Sequence, residues 1–177
     1  MKIEESTHHH RGSHAGREDL AGEYKYGDAG QLIFMIIFLA VWILDSFVFN
    51  WSTFLTENVT WYIITIPGLL ILIISGLMAR SGLKMVFGEK RETPHVITKG
   101  VFSIVRHPVY LAAILLYLGL IVLTLSLISA GIWIMIIIFY WAISRFEEKL
   151  LLNKFGKEYE EYMQKVPMLF PIKFKSK

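Results

Sequence analysis

The chain has 177 residues, 54% of them hydrophobic and 19% charged, with a mean hydropathy of +0.49 and a formal charge of +3. A soluble domain carries about 25% charged residues, so this composition excludes an ordinary soluble fold and points to the bilayer. The absence of cysteine excludes disulfides, thiolate metal sites and a cysteine nucleophile.

Residues 1–30 form a polar tail containing HHHRGSH. No ligand spacing in it fixes a metal geometry, so no metal site is expected. The first apolar run, 31–49, carries Asp45. A carboxylate facing lipid costs several kcal/mol, so Asp45 is expected to face the bundle or a cavity. Its expected partners are Trp42, Ser46 or a neighbouring helix; a substrate-orienting role is the alternative. A short loop over 50–60 leads to the second run, 61–79, where Pro67-Gly68 predicts a bend.

A polar segment precedes the third run, 109–128, and the fourth run covers 131–144, or 127–145 if it continues through Gly131. A bilayer-crossing helix needs about 20 such residues. Spans three and four are expected to form a hairpin turning at Ser126 to Gly131. Residues 145–166 then read as an amphipathic helix that Gly156 weakens and can break into two, ended by Pro167 and Pro171.

Lys and Arg fall in three blocks: 4 before the first span, 6 between the second and third, and 8 after the fourth. The positive-inside rule then predicts an integral membrane protein with four spans and both termini cytoplasmic. The fold class is all-α: a polytopic bundle with a cytoplasmic amphipathic C-terminal helix. The apolar spans argue against a nucleic-acid partner.

The densest set of donors and cations is PHVITKGVFSIVRHPVY, Pro94 to Tyr110. Pro108 suits the first turn of a helix, where its missing N–H loses nothing. Arg106 and His107 are thereby held at a helix start, near unpaired N–H groups and a positive dipole end, which favours an anionic ligand group. Tyr110 lies one turn further in. Glu147 and Glu148 close the fourth span and are expected to emerge beside Arg106 and His107.

In order along the chain, HVITKGVF (His95 to Phe102), RHPVY (Arg106 to Tyr110), Glu147-Glu148, FGKEYEEY (Phe155 to Tyr162) and Val166-Pro167 resemble the isoprenylcysteine carboxyl methyltransferases and the related phospholipid N-methyltransferases. The resemblance covers residues 94–171 of a membrane domain placed at 31–177. It implies a membrane methyltransferase using S-adenosyl-L-methionine, with a lipophilic or lipid-like acceptor reached from the bilayer and membrane lipids as surroundings. Carried over by motif, His95, Ile97, Gly100, Phe102, His107, Tyr110, Glu147 and Glu148 line the cofactor pocket. Phe102 stands where the family usually has tyrosine. Arg106, able to grip a carboxylate with its planar fork, and Tyr110 are the candidate catalytic groups. A carboxylate, amine or thiol acceptor all remain open. The same skeleton also resembles the C-terminal part of the NADPH-binding sterol reductases, although their usual R-x-x-R-D-E element is replaced here by Arg145-Phe146-Glu147-Glu148. A non-enzymatic scaffold or transporter is the third possibility.

Overall fold

A computed structural model of the chain describes residues 27–88 and 95–172. Most of the N-terminal tail, with its histidines, lies outside the described residues, as do residues 89–94. Among the described residues the fold is all-helical, with no strand. Helix α1 covers Gly27–Ile43 and runs on as a π-helical turn, Leu44–Phe49. Helix α2 is Trp61–Phe87, α3 is Pro108–Thr124, α4 is Leu127–Phe155 and α5 is Lys157–Lys165. Short 3-10 turns occupy Phe54–Asn58 and Gly100–Ser103.

Three of these helices are long and apolar enough to cross a membrane: Gly27–Phe49, Trp61–Phe87 and Leu127–Phe155. The third expected span is a 17-residue helix, about 26 Å long, at the lower end of the crossing range. It stops earlier than the apolar run because Leu125 turns left-handed (φ 49°). The turn is therefore Leu125-Ser126, and Gly131 lies within α4. Ser126 caps α4 by accepting a hydrogen bond from the Ser129 N–H at 3.1 Å, and a serine there typically stabilises a helix by about 1 kcal/mol.

Two further expectations need correcting. Helix α2 continues eight residues beyond the expected end at 79, carrying Arg80 and Lys84 past the apolar stretch. The helix expected over 145–166 does divide at Gly156, but it is not a separate amphipathic element throughout. Its first half extends α4, and only Lys157–Lys165 forms a separate amphipathic helix. The break falls at Gly156, whose φ of 54° and ψ of −126° belong to backbone space that side chains strongly disfavour.

Helix α2 packs along α3, α3 on α4, and α4 on α1. Lipid tails are as apolar as leucine, so close packing and buried hydrogen bonds, more than the hydrophobic effect, hold membrane helices together. Helix α2 buries only Gly68, Ser75 and Gly82. Gly68 and Gly119 let α2 and α3 approach until a Cβ on either would sit 2.6 Å from a leucine methyl of the facing helix. Ser75 Oγ donates to the Ala112 carbonyl at 2.7 Å. Ile63, Ile66, Leu70, Ile73 and Leu77 are exposed on α2 and face the lipid. The main core joins Phe38 of α1, Ile114, Tyr117 and Ile121 of α3, Ile136 and Tyr140 of α4, and Leu169 from the chain after α5.

Asp45 is buried at the end of the bundle remote from Arg106. Its Oδ1 accepts from the Ser52 N–H at 3.0 Å, and its Oδ2 accepts from the Ser126 hydroxyl at 2.5 Å and from the Ser52 hydroxyl. Trp42 and Ser46, the partners expected within its own helix, instead bond Thr124. The carboxylate thus ties the end of α1 and the following loop to the α3–α4 turn.

Candidate active site

Pro108 opens α3, and His107 immediately precedes it. The segment before this helix start runs alongside the chain after α5. The Arg106 N–H donates to the Pro167 carbonyl at 2.9 Å, and the His107 N–H to the Met168 carbonyl at 3.1 Å. Residues 166–169 therefore form a strap across the start of α3, with Leu169 buried in the core.

The Arg106 side chain faces this strap and α4 together. Its Nε and Nη2 both lie 2.6 Å from Glu148 Oε1. Its Nη1 donates to the Met163 carbonyl at 2.9 Å and to that of Val166. The planar fork expected to grip a ligand carboxylate is thus directed at a carboxylate of the chain itself.

His107 lies between the two glutamates. Its Nδ1 is 3.6 Å from Glu147 Oε2 and its Nε2 is 3.7 Å from Glu148 Oε1. Both separations are longer than hydrogen bonds. The imidazole stacks parallel to the Tyr110 ring with centroids 5.6 Å apart. The Tyr110 hydroxyl donates to Glu147 Oε1 at 2.6 Å, and its ring packs on Tyr140. One helical row on α4 supplies the floor, since Tyr140, Ser144, Glu147 and Glu148 recur at the spacing that shares a helix face.

Five sequence-derived candidates therefore converge: Arg106, His107, Tyr110, Glu147 and Glu148. The other four lie along the preceding segment. His95 is exposed and Ile97 half-buried. Gly100 adopts φ 58° against Met85, where a Cβ would sit 2.8 Å from the sulfur. The Phe102 carbonyl accepts from the Tyr162 hydroxyl at 2.5 Å. Helix α5 holds this segment with Tyr159 and Tyr162 packed around Val96, and Glu158 accepts from the Val96 N–H at 3.3 Å. Burial pushes both phenols above their ordinary range, so they remain neutral donors at neutral pH.

Three buried polar atoms in this region have no hydrogen-bond partner among the described residues: His107 Nε2, Ser144 Oγ and Glu148 Oε2. An unmatched buried polar group costs about 1–3 kcal/mol, so three in one region call for an explanation. Ser144 was not among the sequence candidates. Its position one turn before Glu148 was the available signal.

A family model described as phospholipid methyltransferase matches residues 68–158, just over half of the chain and the whole of α3 and α4. The chain belongs to the phospholipid methyltransferase family. Among curated relatives, the protein-S-isoprenylcysteine O-methyltransferase of Saccharomyces cerevisiae is 39% identical over 47% of this chain and 36% of its own length. Protein-S-isoprenylcysteine O-methyltransferase B of Arabidopsis thaliana is 34% identical over 47% of this chain and 43% of its own length. The cobalt-zinc-cadmium resistance protein CzcN of Cupriavidus metallidurans is 34% identical over 49% of this chain and 39% of its own length. These matches span only about two-fifths of the relatives. No solved structure matches the chain. Within this phospholipid methyltransferase family member, the matched segment contains Arg106, His107, Tyr110, Ser144, Glu147 and Glu148, while α5 from Tyr159 onward and the strap lie beyond it.

Proposed function

We propose that this protein transfers a methyl group from S-adenosyl-L-methionine to a lipophilic or amphiphilic acceptor, a carboxylate, amine or thiol, that reaches the site from the bilayer. The observation that carries this reading is the set of orphaned polar atoms on His107, Ser144 and Glu148, beside the Tyr110–Glu147 pair. The proposed orientation keeps this end of the bundle, and both termini, in the cytoplasm.

The charge balance supports the cofactor. Glu147 and Glu148 with Arg106 leave one net negative charge when His107 is neutral. S-adenosyl-L-methionine carries a sulfonium, an ammonium and a carboxylate, one net positive charge. Glu148 Oε2 suits the ammonium or a ribose hydroxyl, and His107 Nε2 suits a polar group beside it. When bound, the cofactor supplies an electrophilic methyl. The protein's share is alignment, which supplies much of the rate in a bimolecular displacement. Tyr110 touches the reacting region and is held in place through Glu147. Arg106 acts on the reaction by positioning Glu148 and the strap. Where an amine or thiol acceptor must lose a proton, His107 is the candidate to accept it directly, and Tyr110 can do so only by passing its own hydroxyl proton on to Glu147. His95, Ile97, Gly100 and Phe102 form the outer wall of the proposed pocket.

Thermal unfolding of the detergent-purified chain tests the cofactor. Ligand at about 100 times its dissociation constant stabilises a fold by roughly 2.7 kcal/mol. S-adenosylhomocysteine should raise the unfolding midpoint and NADPH should not. A rise with NADPH alone would replace methyl transfer by the reductase chemistry. Transfer of labelled methyl to extracted membrane lipids then tests the acceptor.

A further inference from the structure

Helix α4 carries a second feature on its outer side. Ile134, Ile138 and Trp141 are exposed and recur at three- and four-residue spacing, which places them in one stripe. Arg145 and Lys149 continue the same stripe, and both are exposed. The Arg145 guanidinium lies 6.0 Å from the Trp141 ring centroid. Beyond them a cleft of about 160 Å³ opens between α4 and α5, lined by Arg145, Glu148, Lys149, Leu152 and Met163.

Depth gives the stripe its meaning. Eighteen residues separate Leu127 from Arg145, and at 1.5 Å each that is about 27 Å along the helix. The hydrocarbon core of a bilayer is about 30 Å thick. Ile134, Ile138 and Trp141 therefore lie at acyl-chain depth, Arg145 at the boundary, and Lys149 about 6 Å further, among the headgroups. No carboxylate among the described residues forms an ion pair with either cation. The one acid lining the cleft, Glu148, is buried and paired with Arg106 through Oε1.

We infer that this stripe is a binding site for an anionic phospholipid, its phosphate between Arg145 and Lys149 and an acyl chain along Ile134, Ile138 and Trp141. Charge complementarity selects an anionic head, and the apolar continuation below it selects a lipid over a free anion. The bound headgroup lies against the outer side of the Arg106–Glu148 pair. The cleft shares Glu148 with the proposed cofactor pocket, but the lipid site rests on Arg145, Lys149 and the apolar stripe, and its test does not depend on methyl transfer.

The test uses the full chain in nanodiscs of phosphatidylcholine, with and without phosphatidylglycerol. Phosphatidylglycerol should raise the unfolding midpoint, and native mass spectrometry should show it retained on the protein. Each cation near an anionic surface strengthens binding about fivefold, so Arg145→Gln with Lys149→Gln should weaken retention roughly thirtyfold. Its midpoint in pure phosphatidylcholine should stay near that of the unsubstituted chain, because both side chains are exposed. Lys157→Gln with Lys165→Gln removes the same charge elsewhere and should retain the lipid. Equal loss in that control, an undiminished effect in the Arg145/Lys149 variant, or no difference between the two lipids would each overturn the site. A matching midpoint rise from inorganic phosphate in pure phosphatidylcholine would overturn the lipid in favour of a free anion. Should the double variant fold poorly, Lys149→Gln alone, with its expected fivefold loss, decides the same question.

Discussion

Arg106 and Glu148, forty-two residues apart, meet with both Nε and Nη2 of the arginine 2.6 Å from a single carboxylate oxygen. The remaining guanidinium nitrogen reaches two carbonyls at the end of α5. One side chain thus joins the start of α3, the site face of α4 and the strap. Both side chains are nearly buried, 8% and 3% exposed. Removing one partner of such a pair costs about 3–5 kcal/mol, because the other charge is left uncompensated. Arg106→Lys keeps the charge and loses the fork. We expect this variant to lose about 1–3 kcal/mol, the cost of unmatched buried acceptors, and to expose the segment after residue 163 to protease. An unchanged midpoint and unchanged proteolysis would show that the fork is dispensable.

Tyr110→Phe isolates one hydrogen bond. The ring stays between His107 and Tyr140, and only the donor to Glu147 is lost. A hydrogen bond to a charged group contributes about 1.5–3 kcal/mol. The midpoint should fall modestly and S-adenosylhomocysteine should still bind, while methyl transfer falls by tenfold or more. Retention of full transfer would remove the hydroxyl from the reacting region.

At the opposite end of the bundle, Asp45→Ala separates stability from ligand binding. Three donors converge on this carboxylate, and losing their acceptor should cost about 1–3 kcal/mol, roughly 2–4 °C per kcal/mol for a chain of this size. S-adenosylhomocysteine affinity should hold. Glu148→Ala and His107→Ala should weaken that affinity far more. Equal losses from all three variants would contradict the assigned pocket.

What could be read from the sequence follows from range. The apolar runs, the proline at the start of α3 and the break at Gly156 are local signals, and each marks an element in the structure. The convergence of Glu147 and Glu148 with Arg106 and His107 was also legible, because a short hairpin returns α4 to the level where α3 begins. Contacts between remote segments were not. Nothing in the sequence near Asp45 names Ser52 and Ser126 as its partners, since the tie depends on where two loops fold. Nor did residues 166–169, read only as the end of a helix, announce a strap that bonds the backbone of Arg106 and His107. The anion-binding reading of Arg106 rested on its place at a helix start. That reading had no means to see Glu148 taking up the fork.

Gly156→Ala tests whether the elbow between α4 and α5 serves the site. Nothing lies within 4 Å of where a Cβ at Gly156 would sit, so the substitution acts through the backbone alone. Holding a non-glycine residue at this φ and ψ costs about 1–3 kcal/mol. The chain can relieve that strain by continuing α4 straight through the break, and alanine favours this outcome more than any other residue. Straightening would draw Tyr159 and Tyr162 away from Val96 and release the strap from Arg106. The expected result is faster amide hydrogen exchange across residues 157–169 and weaker binding of S-adenosylhomocysteine, with exchange in α2 unchanged. A variant that exchanges and binds like the unsubstituted chain would show that α5 is held by its contacts alone, and that the glycine merely permits the bend.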